Sequence, residues 1–130
     1  MTGETNLAIL LKTMQPRLNP GKVVFCSFSL DVALPSITPI GWFRESEGIT
    51  LILPKEEATA LQIPFLFEAG WITLDVHSSM DAVGFLAVIS KALTDAGIPC
   101  NAVSAYYHDH LFIPTADLDR ALDVLESLSQ

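Results

Sequence analysis

Positive charge is scarce in this chain. Seven lysines and arginines face fifteen aspartates and glutamates, for a net charge of −8 and a sequence pI near 4.6. So few cations form no basic stripe to displace counterions from phosphates, which argues against a nucleic-acid partner and against an anionic membrane surface. Cysteine is sparse too: Cys26 and Cys100 lie far apart, each in an apolar stretch where a free thiol behaves as a small buried hydrophobe. Neither a disulfide framework nor a zinc site follows from two such residues, and no activating base stands beside either thiol in sequence. No apolar run approaches the roughly 20 residues of a membrane helix. Met1 to Asn6 lacks the basic region, apolar stretch and cleavage site of a secretory leader, so the cytoplasm is the expected location. A glycine-rich phosphate loop and a nucleophile elbow are both missing, so the chain is expected to be no enzyme and to carry no cofactor.

Apolar content, by contrast, is high: 50% of the 130 residues are hydrophobic and the mean hydropathy is +0.42. The length suits one core, or two small units that share a core across an interface, and is too short for two independent domains. Part of the apolar surface is expected to be buried against a partner subunit, giving a homodimer or a higher oligomer.

Leu7, Leu10, Leu11 and Met14 fall at helical spacing after the N-cap candidates Thr5 and Asn6, which predicts a helix over 5–14 closed by Pro16. Lys22 to Ser29 is β-branched and aromatic after the Pro20-Gly21 turn and reads as a strand. Leu30 to Pro39 reads as an irregular connection. Gly41 to Glu45 and Ile49 to Leu53 form a hairpin through Ser46, Glu47 and Gly48, and Lys55 to Leu61 is a short helix with acidic residues in its first turn. Phe65 to His77 reads as extended with a break at Ala69-Gly70. The longest helix is expected over 81–96 with Gly97 as its C-cap, followed by strands over 99–107 and 111–113 and a helix over 117–128.

The order of elements repeats. Leu7-Ala8-Ile9-Leu10-Leu11-Lys12 matches Leu86-Ala87-Val88-Ile89-Ser90-Lys91, and Leu51-Ile52-Leu53-Pro54 matches Leu111-Phe112-Ile113-Pro114. Each proline leads into an acidic helix, which suggests an internal duplication. Such an order belongs to a βαββαβ unit, an α+β fold in which an antiparallel sheet carries both helices on one face. Residues 71–128 supply every element but the last strand, and the first half lacks its first strand, so strands can be exchanged between the halves.

Trp71-Ile72-Thr73-Leu74, the turn from Ser78 to Phe85, Ala96-Gly97-Ile98-Pro99, and Val103-Ser104-Ala105-Tyr106 followed by Asp109-His110 and Ile113-Pro114 together resemble the ACT domain. Within that group the chain is similar to the regulatory regions of aspartate kinase and to CASTOR-type arginine sensors. The resemblance covers most of residues 65–128 and is weaker in the first half. It implies two ferredoxin-like units, a degenerate one over 1–64 and a second over 65–130. The implied function is binding of an amino-acid ligand as a regulatory or sensor domain, with a regulated partner protein.

The resemblance also implies a ligand site at the first strand-to-helix turn, with Gly84 at the family's glycine and Ser78, Ser79, Met80, Asp81, Ala82, Val83 and Phe85 around it. A helix N-terminus offers unpaired N–H groups and partial positive charge, which suits a carboxylate. In a plainer reading Ser79 caps the helix, Asp81 complements its dipole and Gly84 allows close packing. Ser104 and Asp109 lie in the stretch whose Asp, in the sensors, pairs with the ligand's cationic end. An Asp at a hairpin tip is equally an ordinary turn former. Apart from the cap-like Asp81, no acidic partner stands plainly near the helix turn, so a neutral amino acid competes with arginine as ligand.

Asp75 and His77 alternate on one strand and His108 and His110 around a turn, so a metal cluster is geometrically open, but no orienting partners are identifiable and no metal site is assigned. Trp42 and Trp71 are expected to anchor a core or a subunit interface. The rivals to a sensor are a ligand-free assembly module and, less favoured, a small metal-dependent enzyme using the histidine group.

Overall fold

Two prolines turn a strand straight into a helical turn, and they do so in the same backbone conformation: φ −56° and ψ 135° at Pro54, φ −49° and ψ 137° at Pro114. The computed structural model describes residues 3–130 and places one of these corners in each of two units. In chain order the first elements are α1 (Leu7–Thr13), β1 (Gln15–Leu18), β2 (Val23–Phe28), β3 (Gly41–Arg44), β4 (Ile49–Pro54) and α2 (Lys55–Ala60). They are followed by β5 (Leu66–Asp75), α3 (Phe85–Asp95), β6 (Asn101–Ser104), β7 (Asp109–Pro114), a 3-10 turn (Thr115–Asp117) and α4 (Leu118–Ser127).

The larger unit is Met1–Pro20 with Gly70–Gln130, and the smaller is Gly21–Ala69. In the larger, β5 leads through α3 to the antiparallel β6–β7 hairpin and then to α4. Its fourth strand is β1, from the beginning of the chain, antiparallel to β5 in register from Gln15↔Asp75 to Leu18↔Ile72. In the smaller, β2 is the first strand, β3 and β4 the hairpin, α2 the helix, and Leu66–Ala69 of β5 the fourth strand. Both units show the same neighbours: the first strand lies beside the third and the fourth, and the second beside the third. That is the ferredoxin-like arrangement, twice.

The expected duplication is therefore real at the strand-to-helix corner and at the helices that follow it, α2 and α4, but not at α1 and α3. α1 and α3 do not hold equivalent places. They pack together in the larger unit, where Leu10, Ile89 and Leu93 are wholly buried with Ile72, Leu74, Leu111, Ile113 and Leu125. The smaller unit has no helix between its first two strands. Pro35 and Pro39 lie in that segment, which runs as an irregular connection over the sheet, and the core is small: Val24, Cys26, Leu51, Leu53 and Ala58.

Other expectations shift. Pro16 does not simply close the first helix: Met14 is already extended, and the proline sits in a four-residue strand whose mixed composition carries no alternation to read. The strand over 99–107 shortens to Asn101–Ser104 because Ala105 donates to the His108 carbonyl and starts the turn. β5 runs unbroken through Ala69-Gly70. Its irregularity is at Phe67, with φ 60°, where the pairing with β2 slips between Val24 and Phe25. Gly70 is needed for another reason, since a Cβ there would lie 2.6 Å from the Leu118 methyls of α4. Trp42 is 60% exposed and anchors no core of its own chain.

The strand face away from the helices carries a polar ladder. The indole Nε1–H of Trp71 donates to His110 Nδ1 at 3.0 Å, and Thr73 Oγ1 lies 3.2 Å from the same nitrogen. Asn19 Nδ2 donates to Thr73 Oγ1 at 2.9 Å. An indole only donates, so Nδ1 is the unprotonated nitrogen and the neutral His110 carries its proton on Nε2. Burial pushes the His110 pKa below its ordinary value, with His108 and Arg17 adding to the effect and Asp109 opposing it.

Two predictions follow from these packings. Leu10→Ala is expected to cost about 2–5 kcal/mol in urea unfolding, as much as Ile89→Ala, because both side chains fill one core. For His110, a lowered folded pKa means that the unfolded chain binds the proton first as pH falls. Its stabilisation is therefore complete above the unfolded pKa near 6.5 and is lost as pH falls towards the folded value. His110→Gln should flatten the change in urea midpoint between about pH 7.5 and 5.5.

Candidate functional site

Beyond β5 the chain is held by its own beginning. Glu4 donates to the His77 carbonyl at 2.8 Å and accepts from the Ser79 N–H at 2.9 Å, a parallel bridge between Glu4 and Ser78. A Cβ on Gly3, at φ +126°, would lie 2.9 Å from the Ser79 nitrogen, so glycine permits this approach. The Ser79 hydroxyl accepts from the Asp81 N–H at 3.1 Å, and the Ala82 N–H bonds the Ser79 carbonyl at 3.0 Å. These bonds make residues 79–82 a turn rather than the first turn of the helix.

α3 starts four residues later than expected, at Phe85, with Gly84 as its N-cap in the left-handed region at φ 93°. No side chain caps the helix. The capping role expected of Ser79 and the dipole role expected of Asp81 are therefore not played at the helix start. What Gly84 provides is the positive φ that aims the chain from turn to helix, since a built Cβ meets only Leu7 at an ordinary 3.5 Å.

Across from the turn, Ser104 and Asp109 face each other as the last pair of the β6–β7 ladder. Asp109 is thus a strand residue beyond the turn, not its tip. It shares a strand face with Leu111 and Ile113, the face that packs against the helices, and is 9% exposed. Among the described residues its carboxylate makes no hydrogen bond and no ion pair.

A cavity of about 100 Å³ lies between the turn, the start of α3 and the hairpin. Of the residues expected at the site, Ser78, Ser79, Met80, Ala82, Phe85, Ser104 and Asp109 line it, joined by Ala105 and Leu86. Asp81, Val83 and Gly84 do not. Val83 is 85% exposed, and Gly84 acts on the backbone. Sequence reading passes over Leu86, the second residue of α3, because the helix start was placed too early. It also misses Gly3 and Glu4, whose contact with the turn depends on where β1 lies.

The histidine group does not assemble into a metal centre. His110 Nδ1 is engaged by Trp71, the His108 ring sits 3.7 Å from Asp75 Oδ1 and 3.2 Å from the Val76 carbonyl, and His77 packs on Tyr107. Among the described residues no three His, Cys, Asp or Glu side chains converge as ligands. Both thiols are free, and burial raises the pKa of Cys26 and of Cys100, which keeps them protonated and poorly nucleophilic. No helix among the described residues is long and apolar enough to cross a membrane.

Family models described as ACT domain match residues 2–70 and residues 66–127. No curated protein matches the chain. Among solved structures, a Vibrio cholerae protein of unknown function, titled a possible transport protein, is 38% identical with a TM-score of 0.84 over 95% of this chain and 96% of that one. A protein from Agrobacterium tumefaciens shares the fold at 18% identity and a TM-score of 0.68, over 89% of each chain. Aspartate kinase from Clostridium acetobutylicum does so at 9% identity and 0.60, with 90% of this chain matching 34% of the enzyme. The matched segments, the repeated strand order and the shared proline corner lead to one statement: the chain belongs to the ACT domain family and carries two such units in tandem.

Proposed function

We propose that the chain is a regulatory sensor that binds a small amino acid reversibly in the cavity beside the α3 N-terminus. The observation that carries this reading is Asp109: nine-tenths buried, on the cavity wall, and without a partner among the described residues. A carboxylate on a cavity wall with no cation beside it is a place where an ammonium group can be held by a charge-assisted hydrogen bond. The uncapped first turn of α3 supplies N–H groups and partial positive charge for the ligand's carboxylate, and Ser79 and Ser104 add polar lining to the same cavity.

Size narrows the ligand. A cavity of about 100 Å³ is smaller than the roughly 150 Å³ that accepts benzene, which favours a zwitterion of alanine or serine size over arginine. Binding there is sensing without chemistry, in the cytoplasm, and it acts by changing how copies of the chain or a regulated partner pack. That effect can be no larger than the ligand's difference in affinity for the two arrangements. A ligand-free assembly module is the second reading, and exposed Trp42 and Phe43 on the edge strand β3 favour it.

A thermal-shift screen of the purified chain against the common amino acids separates the two. At a hundredfold excess over its dissociation constant the ligand should add about 2.7 kcal/mol, and Asp109→Asn should abolish the shift. No shift from any amino acid at millimolar concentration would leave the assembly reading standing. Gly84→Ala is expected to cost about 1–2 kcal/mol in urea unfolding through backbone strain at positive φ, and to weaken the ligand further by moving the helix start.

A further inference from the structure

The smaller unit keeps a hollow where its fold would place a helix. Between β2 and β3 the chain runs as an irregular connection, and beneath it lies a cavity of about 410 Å³. The floor is Trp42 and Arg44 of β3 with their cross-strand partners Leu51 and Ile49, and the roof includes Leu34 and Ile37. The volume falls within the range of small-molecule sites, and the lining is apolar but for one charge.

That charge is the guanidinium of Arg44. Among the described residues Arg17, Lys22, Lys55, Lys91 and Arg120 each pair with a carboxylate, while Lys12 and Arg44 have none, and of these two only Arg44 lines the hollow. Scarcity of acids is not the cause in a chain with fifteen of them. The neighbouring Glu45 instead accepts from Thr50 Oγ1 at 2.6 Å, and Glu47 from Ser46 at 3.0 Å. An unpaired arginine fork at the mouth of an apolar hollow beside an indole matches a carboxylate with a hydrophobic body.

We propose that this hollow is a second ligand site, distinct from the cavity at α3, and that it takes a small apolar carboxylate, the body on Trp42, Ile49 and Leu51 and the carboxylate on Arg44. Hexanoate and phenylacetate, each beside its uncharged amide, are the probes, read by amide NMR shifts of the full chain. Saturable shifts confined to residues 34–51 are expected for both acids, with the amides about tenfold weaker. Arg44→Gln, at an exposed position, should bring acid affinity down to that of the amide and leave the melting temperature unchanged. Leu34→Asp should remove binding of both, and Asp109→Asn should change neither, which keeps this site's fate separate from that of the amino-acid site. Equal binding of acid and amide, or no shift at millimolar concentration, would overturn the proposal. So would shifts of the same residues with protein concentration alone, which would make the hollow a contact between copies.

Discussion

The pairing of Gln15–Leu18 with Ile72–Asp75 holds the larger unit together. Because β1 runs antiparallel to the end of β5, whatever precedes Gln15 must emerge beside the turn that follows Asp75. α1 is thereby laid against α3, where Leu10 and Met14 enter the core, and Gly3 and Glu4 reach the backbone of Ser78 and Ser79. The turn that lines the cavity is ordered by residues more than seventy positions away. Ser129 confirms the closure from the other end, its hydroxyl donating to the Met14 carbonyl at 2.8 Å.

Much of this was legible in residues whose signal is local. The proline corners, the Ser46-Glu47-Gly48 turn and the periodicity of α4 each depend on a few neighbouring side chains, and they read correctly. The exchange of a strand between halves was also visible, as an element missing from residues 71–128. What could not be read was which residues fill the gap, because Gln-Pro-Arg-Leu has neither alternation nor β-branching and becomes a strand only through the partner it meets. The start of α3 was misread for a related reason. Asp81, Ala82 and Val83 suit a helix, and only the bonds from Ser79 and the left-handed Gly84 hold them in a turn. At the site, Asp109 was legible as a candidate but its burial was not, since that follows from the register Ser104↔Asp109.

The two units show how one topology accepts different coverings. A ferredoxin-like sheet needs its apolar face shielded, and the larger unit does this with three helices around Ile72, Leu74, Leu111 and Ile113. The smaller does it with one short helix and a proline-bearing connection, so its buried cluster is smaller and Ile37 and Ile49 are only partly covered. A helix packed there would fill the face with side chains and leave no room. An irregular segment held by a few backbone bonds, such as Ile40 to the Ile52 carbonyl at 2.8 Å, closes the face without filling it.

Charge placement gives the two hollows opposite characters. In a chain of net charge −8 the cheap arrangement leaves carboxylates in water and cations paired with them, and most of the chain conforms: Glu68 is held by Lys55 and Lys22, which lower its pKa, and Asp117 by Arg120. Among the residues that line the two hollows, Asp109 and Arg44 depart from it in opposite senses, the one an anion without a cation, the other, like Lys12 elsewhere, a cation without an anion. The surroundings differ. Arg44 is exposed and loses little by standing alone, whereas Asp109 is nine-tenths buried on a cavity wall and meets no cationic side chain within ion-pair distance among the described residues. A positive group in the α3 cavity would therefore meet a carboxylate away from most of the solvent, where the attraction is less screened than at the exposed Arg44.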